Sequence, residues 1–127
     1  MFDTDVLVWY LRGNARARAF IAEVPFPDRM VSAMVYFELL QGCMAARDLR
    51  TVRKFIARNF SRLVHLSEQV SQRAASLLER HAVPHGLEAA DAVIAATALI
   101  NRQRLATGNT AHYRPIRGLD LVVFTPS

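Results

Sequence analysis

Short, nearly continuous apolar runs alternate along this chain with longer stretches in which apolar residues recur every third or fourth position. The first rhythm predicts strands and the second amphipathic helices. Met1–Thr4 reads as a brief strand, and Asp5–Arg12 as a helix stopped by Gly13-Asn14. Ala15–Glu23 follows as a helix closed by the Pro25-Phe26-Pro27 turn, and Arg29–Ser32 as a strand. Ala33–Arg47 shows Val35, Leu39, Leu40 and Met44 at helical spacing, with Ser32 as its cap. Leu49–Phe60 is the next helix and Leu63–Leu66 the next strand. Ser67 caps a long helix to about Val83, with Val70, Ala74, Leu77 and Leu78 as its buried stripe, until Pro84-His85-Gly86 ends it. Glu88–Arg102 completes the helices. Arg104–Thr107 and Asp120–Phe124 are the last strands, joined by the loop Gly108–Gly118.

Strands separated by helices define an α/β domain, a mainly parallel central sheet between two helical layers. In such folds ligand sites form beyond the carboxyl ends of the strands, so chemistry is expected there. No repeat or linker interrupts the pattern, and the 127 residues suit a single domain over 1–127. The one cysteine, Cys43, excludes an intramolecular disulfide and a cysteine-based zinc site, and reads as a small apolar residue at a helix end.

No apolar run is long enough for a membrane span, and Met1-Phe2 leads directly to a charge rather than into a signal peptide. A cytoplasmic protein is expected, although so short a first strand allows a native start upstream of Met1. The net charge of +5 and pI near 10.3 favour a polyanionic partner. All 16 basic residues except Lys54 are arginine, whose planar fork matches phosphate oxygens. A genome rich in G and C would give the same bias, so the charge alone does not establish nucleic-acid binding.

The acids discriminate better. Most of the 11 sit in polar or helix-terminal settings that solvation explains, Glu23, Asp28, Asp48, Glu68, Glu79 and Asp120 among them. Three have apolar company instead. Asp3 precedes Val6-Leu7-Val8-Trp9-Tyr10, Glu38 lies within Met34–Leu40, and Asp91 lies within Ala89–Ala96. A carboxylate so flanked must be solvated in a cleft, paired with a base, or bound to a metal, because burying it bare costs several kcal/mol. Neither Glu38 nor Asp91 has an arginine or lysine three or four positions away, so a local helical ion pair is unavailable. A tertiary ion pair or a helix cap remains the bland account of each. An all-oxygen donor set favours Mg²⁺ or Mn²⁺. Among the other candidates, His65, His81 and His85 read as surface or packed residues, and Trp9 and Tyr10 as core residues more readily than base-stacking ones.

The spans Phe2–Leu7, Ser32-Ala33 through Glu38–Gly42, Asp91–Ala98 and Thr107–Tyr113 followed by Gly118-Leu119 together resemble the PIN-domain family, in particular its VapC-type toxin ribonucleases. Each block is a weak match alone; the ordered set covers almost the whole chain. The resemblance implies a PIN-like three-layer α/β/α sandwich in which Asp3, Glu38 and Asp91 ligate the metal. Asn109 falls where the family carries an auxiliary Asp or Asn. Asp5 departs from the family's usual Asn or Ser, and His112 from a commonly acidic position, so no further ligand is expected at His112. Thr4, Ser32 and Thr107 stand near strand ends, where they could hydrogen-bond the ligating carboxylates or act as ordinary caps.

The resemblance implies a Mg²⁺- or Mn²⁺-dependent endoribonuclease, the toxin of a type II toxin–antitoxin pair, held by a small antitoxin and homodimeric. Transfer RNA and ribosomal RNA loops are the expected substrates, and no motif here chooses between them. Two rivals stand beside it: a PIN-fold RNA-processing nuclease that is not a toxin, and a non-catalytic PIN-like RNA-binding module.

Overall fold

The computed structural model describes residues 1–127. Its helices are α1 (Thr4–Leu11), α2 (Ala15–Ala22), α3 (Ala33–Gln41), α4 (Ala46–Asn59), α5 (Glu68–His85), α6 (Ala89–Ile100) and α7 (Thr110–Tyr113). The strands are β1 (Met30–Ser32), β2 (Arg62–Val64), β3 (Leu105–Thr107) and β4 (Leu121–Val123). Side-chain oxygens of Asp3, Asn14, Ser32 and Ser67 accept from free N–H groups in the first turns of α1, α2, α3 and α5, which fixes where each helix begins.

Every ladder is parallel. β1 pairs with β2, Val31 opposite Leu63, and β3 pairs with β4, Ala106 opposite Val122. On its other edge β3 takes the N-terminal segment: Ala106 N donates to Met1 O at 2.8 Å and Asp3 N donates to Ala106 O at 2.9 Å. The α/β class with parallel strands is as expected from the sequence, although the ladders form two separate short pairs and the N-terminal segment is bridged only to β3. One core runs through the domain, with Val6 and Leu7 of α1, Val31, Val35, Ile94 and Leu105 fully buried in it. Ala92, Ala95, Ala96 and Ala98 give α6 a surface without bulk, and all four are buried.

Several boundaries differ from the sequence reading. The first strand shrinks to a bridge at Phe2, because Asp3 caps α1 and starts it at Thr4, one residue before the expected start at Asp5. The helix expected to reach Arg47 stops at Gln41, so Met44 of the supposed stripe is 94% exposed. A new helix starts after Ala45, where Asp48 Oδ2 accepts from Met44 N and Ala45 N. Pro84 lies inside α5, where its missing N–H deprives only one carbonyl, and the chain leaves the helix at Gly86 with φ of 66°. The loop Gly108–Gly118 contains the single turn α7.

Candidate active site

The acids gather where an α/β fold places its sites. Asp3 follows the bridge residue Phe2, Thr107 ends β3, and Asp91 lies in the first turn of α6. Glu38 comes from the middle of α3. Asp3 is 5% exposed, while Glu38 and Asp91 are half-buried.

Each of the three carboxylates is held by a hydroxyl group. Thr107 Oγ1 donates to Asp3 Oδ2 at 2.8 Å, and Thr4 Oγ1 donates to Glu38 Oε1 at 2.6 Å. Tyr113 OH donates to Asp91 Oδ1 at 3.2 Å. Asp3 Oδ1 also accepts from Thr4 N at 2.8 Å, so this side chain both caps α1 and faces β3. No arginine or lysine pairs with any of them; the molecule's one ion-pair contact sets His112 Nδ1 3.3 Å from Asp91 Oδ2.

The electrostatics follow from that arrangement. Burial pushes the Glu38 pKa up, the Thr4 hydroxyl opposes this, and the charges of Asp3, Asp91 and Glu88 add to the rise. Burial raises Asp91 as well, followed by Asp3, against the lowering effects of Tyr113 and His112. Asp5 is raised by burial and then by Asp3. Burial and the neighbouring Asp3 and Asp91 charges lift the Tyr113 phenol well above its ordinary range, so it stays protonated and donates. The acids therefore interact through space, although no three ligating side chains converge closely enough to enclose an ion as they stand. Unscreened carboxylates repel.

The other anticipated residues divide. Thr4 and Thr107 make the carboxylate bonds foreseen for them, whereas Ser32 caps Met34 N and meets Thr97 Oγ1 at 3.4 Å. Asn109 is exposed; its backbone N–H donates to Thr107 Oγ1 at 3.0 Å, and its side chain makes no hydrogen bond to the acids. Asp5, in the first turn of α1, accepts from Val6 N at 2.9 Å and, across the fold, from Gly108 N at 2.8 Å. His81 is packed, with Nδ1 buried and unpartnered, while His65 and His85 are exposed. Trp9 and Tyr10 pack against the core. The sequence reading assigned no role to Tyr113, although the tail motif contains it, and did not place His112 against Asp91.

The donor set fits a hard divalent cation. It consists of one buried and two half-buried carboxylates from three chain segments, oriented by neutral hydroxyls that leave their negative charge uncompensated. No nitrogen or sulfur ligand competes except His112, which is engaged at Asp91.

The PIN domain family profile matches residues 1–117, and the chain belongs to that family. It is 30% identical over 114 residues to Ribonuclease VapC10 of Mycobacterium tuberculosis (strain ATCC 25618 / H37Rv), covering 89% of this chain and 84% of that protein. Ribonuclease VapC19 of the same strain is also 30% identical, over 116 residues, covering 89% of this chain and 90% of that protein. Among solved structures, a toxin–antitoxin complex from Klebsiella pneumoniae superposes with a TM-score of 0.79 at 26% identity, covering 99% of this chain and 96% of that one.

Proposed function

We propose that the protein is a Mg²⁺- or Mn²⁺-dependent endoribonuclease and the toxin of a type II, VapBC-type toxin–antitoxin pair. The observation that carries the reading is the pattern of three acids, each oriented by a hydroxyl and none neutralised by an arginine or lysine. Asp3, Glu38 and Asp91 would hold the cation, with Asn109 as an auxiliary residue at the rim. A divalent ion there would lower the pKa of an attacking water and stabilise the charge that builds on the scissile phosphate. Thr107, Thr4 and Tyr113 would keep the three carboxylates turned towards it, since a ligand's hydrogen-bond partners fix its orientation. The relatives, two ribonucleases and a toxin–antitoxin complex, support the same reading. With it come a transfer RNA or ribosomal RNA substrate, a small antitoxin partner, a homodimer and a cytoplasmic location. No helix is long and apolar enough to cross a membrane.

Purified protein incubated with RNA should cleave it in Mg²⁺ or Mn²⁺, leave 3′-hydroxyl ends, and stop in EDTA. Asp3→Asn, Glu38→Gln and Asp91→Asn should each abolish nearly all turnover while remaining folded. Cleavage in excess chelator, or 2′,3′-cyclic phosphate ends, would remove the metal mechanism. Growth arrest on expression alone, relieved by the cognate antitoxin, checks the toxin assignment; harmless soluble expression overturns it.

A further inference from the structure

Helix α4 carries charge that the fold does not use. Arg47, Arg50, Arg53, Lys54 and Arg58 are all exposed, and none is in ion-pair contact with a carboxylate. The helix has one acid, Asp48, which is engaged with backbone N–H groups at its own N-terminus. Arg47 and Arg50, Arg50 and Arg53, Arg50 and Lys54, and Lys54 and Arg58 are like-charged neighbours at i,i+3 or i,i+4 spacing, an arrangement that weakens a helix. Arg47 also sits in the first turn, where the helix dipole disfavours a cation. Stability therefore argues against this pattern, and a polyanionic partner would account for it.

The placement of the charges is more specific than their number. Val52, Phe55 and Ile56 define the buried face of α4. Arg47, Thr51, Lys54 and Arg58 follow one another at steps of four, three and four, which sets them on a single ridge. Thr51 lines a groove of about 460 Å³ between α1, α3 and α4. Glu38 lines the same groove, and Arg12 stands on its opposite side with its guanidinium over Trp9 at 5.7 Å. The groove thus joins the ridge, at Thr51, to Glu38 of the acid site, and Arg47 and Arg58 lie about 16 Å apart along the ridge at the helical rise.

We infer that the Arg47–Lys54–Arg58 ridge, with Arg12 across the groove, docks the backbone of single-stranded RNA flanking the phosphate to be cut. This rests on the ribonuclease reading above. The guanidinium forks and the ammonium would each take a phosphate oxygen without reading a base, so the ridge confers affinity and register but no sequence preference.

The test compares two triple variants of equal charge, R47Q/K54Q/R58Q on the ridge and R73Q/R80Q/R117Q elsewhere on the surface. Glutamine keeps helix propensity, and thermal melts confirm that both fold. Binding of a fluorescent single-stranded RNA is followed by anisotropy in EDTA across a salt series, so that catalysis does not enter. The ridge triple should lower the slope of log affinity against log salt by about 2, at about 0.7 per phosphate contact on a single strand, and the control by much less. Equal losses in both triples, or no RNA binding by the wild type, overturn the inference. Loss of antitoxin binding by the ridge triple with RNA affinity intact assigns the ridge to a protein partner, and also overturns it. Ridge-dependent binding without cleavage in Mg²⁺ would leave the docking surface standing and sink the ribonuclease reading; cleavage with equal slopes in the two triples does the reverse.

Discussion

Glu38 holds one hydrogen bond and several repulsions. Burial raises its pKa first, the Thr4 hydroxyl works against that, and Asp3, Asp91 and Glu88 push it up again. A carboxylate whose folded pKa exceeds its unfolded value contributes stability that is fully present below the unfolded value, here 4.5, and lost as pH rises through the raised one. Glu38→Gln can still accept from Thr4 but no longer titrates. In chelator its Tm should match the wild type near the bottom of that window and exceed it at neutral pH, by about 2–6 °C for each kcal/mol relieved. Melts across the range test this; a gap that narrows as pH rises would show that the acids do not repel. The same carboxylates were legible in the sequence because apolar neighbours leave a charge so few innocuous explanations. Thr4 and Thr107 were legible from their nearness to strand ends. Tyr113 was not, since nothing in its local pattern says that its hydroxyl meets Asp91, 22 positions away.

Among the elements, the start of α1 and the turn after β3 constrain each other. Asp5 Oδ2 accepts from Gly108 N, and a Cβ at Gly108 would lie 2.7 Å from that oxygen and 3.2 Å from Phe124 O. Glycine is required there by close approach rather than by its backbone angles. Asp5→Ala should cost about 0.5–1.5 kcal/mol for each of its two lost bonds, offset in part by the burial and Asp3 repulsion it relieves. Gly108→Ala should cost more, because the crowded carboxylate must move. In the double variant the oxygen that obstructs the new methyl is gone, so denaturant titrations should give a loss smaller than the sum. Strict additivity would mean that the two residues act independently. Periodicity located all the long helices because packing imposes it over many residues. It ran α3 through Met44 and missed α7, where single caps and turns decide the outcome. Asp3 at the start of α1 and Asp48 at the start of α4 are such decisions, and the sequence reading left Asp48 to solvation.

At the scale of the whole molecule, the N-terminal segment lies beside β3, with Asp3 bonded to Thr107 104 positions away. The first carboxylate of the site is thus positioned by one of the last strands. On the ribosome, where chains emerge N-terminus first, Asp3 leaves the tunnel long before Thr107, and Glu38 and Asp91 precede Thr107 as well. A nascent chain therefore cannot close this acid cluster while β3 is sheltered. Arrested chains with β3 and β4 still inside the tunnel should be digested readily by protease, and a flexible C-terminal extension that brings both strands outside should confer resistance. Early resistance would show that the remaining elements fold without that closure. The chain order thus delays assembly of the acid cluster until synthesis of β3 is complete, which for a ribonuclease born among ribosomal and transfer RNAs would keep the unfinished molecule harmless to the machine that makes it.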